Sequence, residues 1–434
     1  MEEKGIKNGA TLQRTLSPMH VWAIAFGCIV GWGSFINPGK KFLPNSGVAG
    51  TAIAMALGAV VMIIIAFSYA YMVPKYPKAG GEFTFAKACF GKRIAFICGW
   101  FLIAAYLTNV PMDSTAIGLV VDGLDGDADI LKFGFHYTVA GFDIYLGEML
   151  LIAAILLLFG YLNIVGVKKA GFVQTVLSSL LVVCVLVLCI AGFTSAKAQG
   201  INMEPIWGFD KSAAMAANAT TAEIGQFAHK GAAGIVSAIL ATFAIAPWAY
   251  VGFDSIPQAA EELLGNFGKV LIGVGVSCAV LSGIMGFYLA ASRLMYSMAR
   301  EGYLPAVFGK IDSRYGTPRN AIVFCIVVSM SGPILGREAL GWFVDMSAIG
   351  ASIGYLFTCA STLVTLRKDH DGTMFLKIMA AVGVIFSLSF MVLQLIPIPG
   401  LSGVHFCKES YFMLIVWTVV GLLFYIKQRK FFVS

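Results

Sequence analysis

Gly27-Cys28-Ile29-Val30-Gly31-Trp32-Gly33-Ser34-Phe35-Ile36-Asn37-Pro38 places helix-breaking composition in the middle of the first long apolar run. Glycine permits unwound backbone, and proline removes a donor and clashes with the preceding turn. A second stretch of the same kind, Ala246-Pro247-Trp248-Ala249-Tyr250-Val251-Gly252-Phe253-Asp254-Ser255-Ile256-Pro257, interrupts the sixth run. At membrane depth, unwound backbone is tolerated only where it lines a cavity or is buried in protein. Interruptions at corresponding positions of two halves are the sequence pointer to a solute site. The N–H groups opening a half-helix attract a carboxylate, and freed carbonyls attract an ammonium. An α-amino acid offers both. The competing account is tight helix packing by small residues with an incidental proline kink, and two interruptions in register weigh against it.

The surrounding runs set the fold class. The chain has 434 residues, 59% hydrophobic and 12% charged, with mean hydropathy +0.84. Soluble domains carry roughly 25% charged residues. Apolar runs recur, each long enough to cross ~30 Å of hydrocarbon as a helix of about 20 residues. They lack the short alternation of a barrel, so the chain reads as an all-α polytopic membrane protein. The first run follows a polar lead and has no small-residue cleavage site, which argues against a cleavable signal. The formal net charge of +7 fits Lys and Arg gathered in cytoplasmic loops and calls for no nucleic acid partner. The nine cysteines fall almost entirely inside apolar runs and suggest neither a disulfide framework nor a metal site.

Spans are expected at 19–42, 50–74, 94–120, 145–165, 172–193, 234–260, 270–298, 320–335, 340–366, 375–396 and 411–426, eleven in all. Lys4, Lys7 and Arg14, then Lys75, Lys78, Lys87, Lys92 and Arg93, place the N-terminus in the cytoplasm, and Asp122, Asp125, Asp127 and Asp129 lie opposite. Arg300, Lys310, Arg314 and Arg319, and then Lys427, Arg429 and Lys430, put the 300–319 loop and the C-terminus inside as well. Counting from the N-terminus also makes 261–269 cytoplasmic, yet one apolar run, 270–298, separates it from 300–319. One helix cannot return to the side it left. The chain reads one span short.

Several motifs resemble the amino acid–polyamine–organocation permease family. Gly31-Trp32-Gly33-Ser34-Phe35 is similar to its first broken-helix element, and Tyr76-Pro77-Lys78-Ala79-Gly80-Gly81-Glu82-Phe83-Thr84-Phe85 to its proline–alanine–diglycine element. Trp248 to Asp254, running on to Glu261-Glu262, resembles its broken sixth helix. Ser292-Arg293-Leu294-Met295-Tyr296-Ser297-Met298-Ala299-Arg300-Glu301-Gly302-Tyr303-Leu304-Pro305, then Gly316-Thr317-Pro318, resembles its cytoplasmic element after the eighth helix. The resemblance implies two inverted five-helix repeats plus two further helices, with substrate between the broken first and sixth helices. The N–H groups around Gly31, Trp32, Gly33 and Ser34 would then hold a carboxylate. Carbonyls near Cys28, Ile29, Ala249 and Tyr250 would hold the amine, with Gly252 in the same break. Trp248 would gate the site or simply pack. The span missing from the count corresponds to the seventh helix and its following outer loop.

On this plan 1–18 is a cytoplasmic segment, 19–195 the first repeat and 196–233 an outer loop. Residues 234–366 form a second repeat with four spans, and 367–434 two C-terminal spans and a cytoplasmic tail. Asp254 either exchanges coupling protons or caps the second half-helix. Asp113 and Asp345 look nearer the outer ends of their spans, which suggests solvated or capping roles. The family's fifth-helix lysine position counts forward from Gln174 to Leu181 here, against that kind of proton coupling. Asp125-Gly126-Asp127-Ala128-Asp129 lacks the glycine and glutamate of a calcium loop. No catalytic constellation, cofactor motif or metal spacing appears, so no enzyme is read. The expected partners are membrane lipid and a small-molecule substrate, an amino acid or related amine, with protons as a candidate coupling ion. The expected location is the plasma (inner) membrane. A transport-incompetent relative, acting as a sensor or binding protein on a permease scaffold, is the alternative.

Overall fold

A computed structural model describes residues 18–29, 42–125, 129–139, 141–194, 206–209, 214, 217–218, 223–243, 257–336, 339–369, 373–397 and 405–427. The described chain is helical apart from one antiparallel hairpin, as an apolar chain in lipid requires, because helices satisfy their own backbone. The helices are α1 Pro18–Ile29, α2 Leu43–Lys75, α3 Glu82–Phe90, α4 Lys92–Asp125, α5 Leu146–Val165 and α6 Val167–Thr194. They continue with α7 Gly231–Phe243, α8 Pro257–Arg300, α9 Arg319–Ser329, α10 Ser331–Leu335, α11 Ala339–Asp369, α12 Met374–Leu395 and α13 Lys408–Lys427. The hairpin pairs β1 His136–Val139 with β2 Phe142–Tyr145, His136 opposite Tyr145.

Among the described residues, eight helices are long and apolar enough to cross a bilayer, and the eighth expected span is shared by α9 and α10. α4 and α8 form the centre of the bundle: 72% of the apolar window of α4 and 78% of that of α8 are buried, against 11% for α13. That gradient separates helices facing protein from those facing lipid. α13 is nonetheless keyed to α4. The Trp100 and Trp417 rings stack at 4.6 Å, Trp100 Nε1 donates to Trp417 O, and Trp417 Nε1 donates to Trp100 O. Burying both indole N–H groups on carbonyls removes the cost of two unsatisfied donors in lipid.

Part of the expected outer loop folds onto the start of α2. Gly47 turns there with φ +63°, a conformation open to glycine, and its backbone lies against Ile206 and Gly208. Ala49 N donates to Ile206 O at 3.1 Å and Phe209 N to Pro44 O at 2.9 Å.

The stretch where the expected span count fails lies within one helix. α8 runs unbroken for 44 residues, which at 1.5 Å each is ~66 Å, twice the ~30 Å hydrocarbon core. Among the residues whose side chains are described, Ser277–Arg300 of it is a candidate span. Residues 261–269, expected on the cytoplasmic side, are therefore joined to the 300–319 loop through a single candidate crossing.

Candidate functional site

Two helices lead into the motifs that the sequence singles out: α1 is described over Pro18–Ile29 and α7 over Gly231–Phe243. Gly31, Trp32, Gly33 and Ser34, and likewise Trp248, Ala249, Tyr250, Gly252 and Asp254, lie outside the described residues. Of the predicted contacts, Cys28 is half-buried near the end of α1, and Ile29 is that helix's last residue, its side chain outside the described set.

The approach to the first break is held by polar contacts. Gln174 Nε2 and Ser178 Oγ of α6 donate to Ala23 O at 3.1 and 3.0 Å. The Ala23 carbonyl thereby accepts two side-chain hydrogen bonds from α6. A Cβ at Gly27 would overlap the Gln174 amide and come within 2.9 Å of Ser282 Cβ, so glycine lets α1, α6 and α8 meet. Leu181, the position counted as the fifth-helix lysine of relatives, is fully buried. The polar residues of α6 that reach α1 are Gln174 and Ser178. The start of the second break is tied similarly, with Ser46 Oγ donating to Ala238 O at 2.5 Å and lying 2.6 Å from Thr242 Oγ1.

The motifs at 76–85 and 292–305, more than 200 positions apart in sequence, are brought together. Phe83 and Tyr303, both fully buried, pack edge to face at 4.8 Å. Lys87 Nζ pairs with Glu301 Oε2 at 2.6 Å. Cβ atoms at Gly80 and Gly99 would collide with Ser297 and Met298, so these glycines permit the close approach. Glu82, opening α3, accepts a hydrogen bond from Tyr69 Oη at 2.8 Å, and burial pushes its carboxyl above the usual range.

Asp113 departs from expectation. It is neither solvated nor a cap: it is 1% exposed, between Pro111 and Ser114 in α4. Pro111, Asn109 and Asp113 interrupt an otherwise apolar span, which is the signal that intramembrane polar residues are functional. Asp345 instead accepts from Ser410 Oγ at 2.6 Å, joining α11 to the start of α13.

Comparison with known proteins follows the same lines. The family model described as amino acid permease matches residues 16–266 and 258–424, two pieces that overlap at 258–266. The methylthioribose transporter of Bacillus subtilis (strain 168) is 24% identical, with 97% of this chain and 94% of that protein aligned. The large neutral amino acids transporter small subunit 2 of Homo sapiens is 26% identical over 84% of this chain and 72% of its own length. For the vacuolar cationic amino acid transporter 2 of Arabidopsis thaliana the figures are 23%, 83% and 60%.

Proposed function

Because the chain belongs to the amino acid permease family, we propose that it is a secondary transporter moving an amino acid or related amine across the plasma membrane. Its fold and relatives make it an integral membrane permease; the substrate, the site and the cytoplasmic placing of both termini belong to the proposal. The reading rests on one observation above others. The amino acid permease model matches residues 16–266 and 258–424, nearly the whole chain, including the two glycine- and proline-bearing motifs into which the described parts of α1 and α7 lead.

In this reading the N–H groups of Gly31 to Ser34 hold the substrate carboxylate. Carbonyls at Cys28, Ile29, Ala249 and Tyr250 hold its ammonium, with Gly252 leaving backbone room. Trp248 closes over the ligand, and Asp254 titrates or caps. Charge on each end of the solute is met by backbone dipoles. The relatives' names cover neutral and cationic amino acids and a thiosugar, so a test panel includes all three. Binding of that panel to the purified protein, wild type against Gly33→Val, tests the site. The variant is expected to lose affinity at least about tenfold, because a buried charged group loses its donors. Equal binding by both contradicts the site.

A second reading, a protein that binds the solute without moving it, is favoured by the unbroken α8. The two-piece family match supports an absent seventh helix, since its pieces overlap where the span count fails. In the inverted-repeat plan that helix flanks the broken pair and moves with it.

A further inference from the structure

Asp113 takes no part in the site proposed above, and its surroundings ask for a ligand. α4 is described as far as Asp125, 12 residues further on, which puts the carboxylate at least ~18 Å from that point along the helix. The residue is 1% exposed, and neither carboxylate oxygen has a hydrogen-bond partner among the described residues. The ion pairs found among those residues join Lys75 to Asp369, Lys87 to Glu301, Lys132 to Asp129 and Arg319 to Asp312. None reaches Asp113.

Asn109 lies one turn earlier on the same face of α4. Its Nδ2 donates to Ala105 O at 2.7 Å and to Ser347 Oγ at 2.8 Å. Those two acceptors fix which way the amide points, and Oδ1 is left without a partner. Three buried oxygens within one turn of helix therefore accept and nothing described donates to them. A buried charge without a partner is among the costliest arrangements a protein can hold. The complement of such a cluster is a positive charge.

The cluster also adjoins α1 and α8. A Cβ at Gly283 would overlap Asp113 Oδ2, so the carboxylate rests on the backbone of α8. Among the described residues, Cys28 of α1, three residues before Gly31, is a titratable group near enough to interact with it electrostatically. α11 presents the neutral Ser347 to Asn109, and α10 presents Gly332 to Pro111 and Thr115. Glu148 of α5 packs at Gly118, more than a turn further out.

We propose that the carboxylate of Asp113, with Asn109 Oδ1, forms a binding site for one monovalent cationic group, filled when α1 and α8 close on α4. The charge has two sources, the ammonium or side-chain amine of the solute itself, or a free coupling cation, a proton or Na+. The chemistry at Asp113 is the same for both. The site stands on buried geometry and does not depend on the solute being transported.

Thermal unfolding of the purified full-length protein in detergent tests it. The conditions are two pH values, NaCl against choline chloride, and neutral against amine-bearing amino acids, for wild type, Asp113→Asn and Asn109→Ala. Wild type is expected to be stabilised by protons, by Na+ or selectively by amine-bearing ligands. Asp113→Asn is expected to lower that apparent affinity by about tenfold or more, and Asn109→Ala to weaken it less. Loss of the pH or Na+ response identifies a free coupling cation; loss confined to amine-bearing ligands identifies the solute's own charge. Should Asp113→Asn not fold, Asn109→Ala carries the same comparison. The proposal is overturned if wild type shows none of the three responses, or if the variants keep all of them within about twofold. A protein that moves no amino acid yet shows a cation response lost in Asp113→Asn refutes transport and leaves the site standing.

Discussion

At Glu82 the chain sets a carboxylate where the motifs at 76–85 and 292–305 meet. Burial raises this group above its ordinary 4.5, outweighing the Tyr69 hydroxyl that stabilises the charged form. The folded protein thus keeps a proton that the unfolded chain has released. Its contribution to stability is full below 4.5 and is lost as pH rises through the raised folded value. Unfolding midpoints of wild type are expected to fall over that window, and Glu82→Gln to lack this part of the slope. Parallel profiles for the two proteins would contradict the assignment. The residue scale also shows where sequence was hardest to read. Asp113 looked close to a span end because hydropathy closes that run near Val120, whereas α4 continues to Asp125. Five more residues of helix, ~7.5 Å, turn an apparent rim carboxylate into a buried one. Glu82 could be placed in a motif by sequence, but its Tyr69 partner depends on how α2 meets α3.

Elements were far more legible than contacts. Expected spans at 145–165, 172–193, 375–396 and 411–426 correspond to α5, α6, α12 and α13 within a few residues, because uninterrupted apolar length is a direct demand of the bilayer. The short α3 and the hairpin were not foreseen, since nine residues of mixed polarity and two four-residue strands leave no periodic signal above their loops. Packing between elements is set by small residues that sequence alone does not pair. A Cβ at Gly421 would fall within 3 Å of the Trp100 ring, while one at Gly341 would meet nothing within 4 Å. Gly421→Ala is therefore expected to cost about 1–3 kcal/mol by prising α13 from α4. Gly341→Ala is expected to be neutral or to gain up to about 1 kcal/mol from helix propensity. Equal thermal midpoints for the two variants would show that the Trp100–Trp417 contact does not hold α13.

At the scale of the whole molecule, the count of crossings decides how the two halves relate. A permease with a complete sixth crossing needs 261–269 on the same face as 300–319. Extended straight past the outer surface, α8 would instead hold the apolar run Val270-Leu271-Ile272-Gly273-Val274-Gly275-Val276 in water, at a cost of roughly 25 cal/mol per Å2 exposed. Cysteines placed at Lys269 and Arg314, with the exposed Cys407 replaced, are expected to label from the cytoplasmic side together. Labelling from opposite sides, as a straight α8 would give, would favour binding without movement. The two glycine- and proline-bearing motifs were legible because those residues act locally, though both lie outside the described residues; the parity of the crossings was not, because it depends on how 257–300 sits beside its neighbours. Uptake of labelled amino acids into proteoliposomes tests the central claim most directly. Wild type is expected to accumulate at least one member of the panel above protein-free vesicles, with Gly33→Val at background. No uptake across the panel by folded wild-type protein would contradict it.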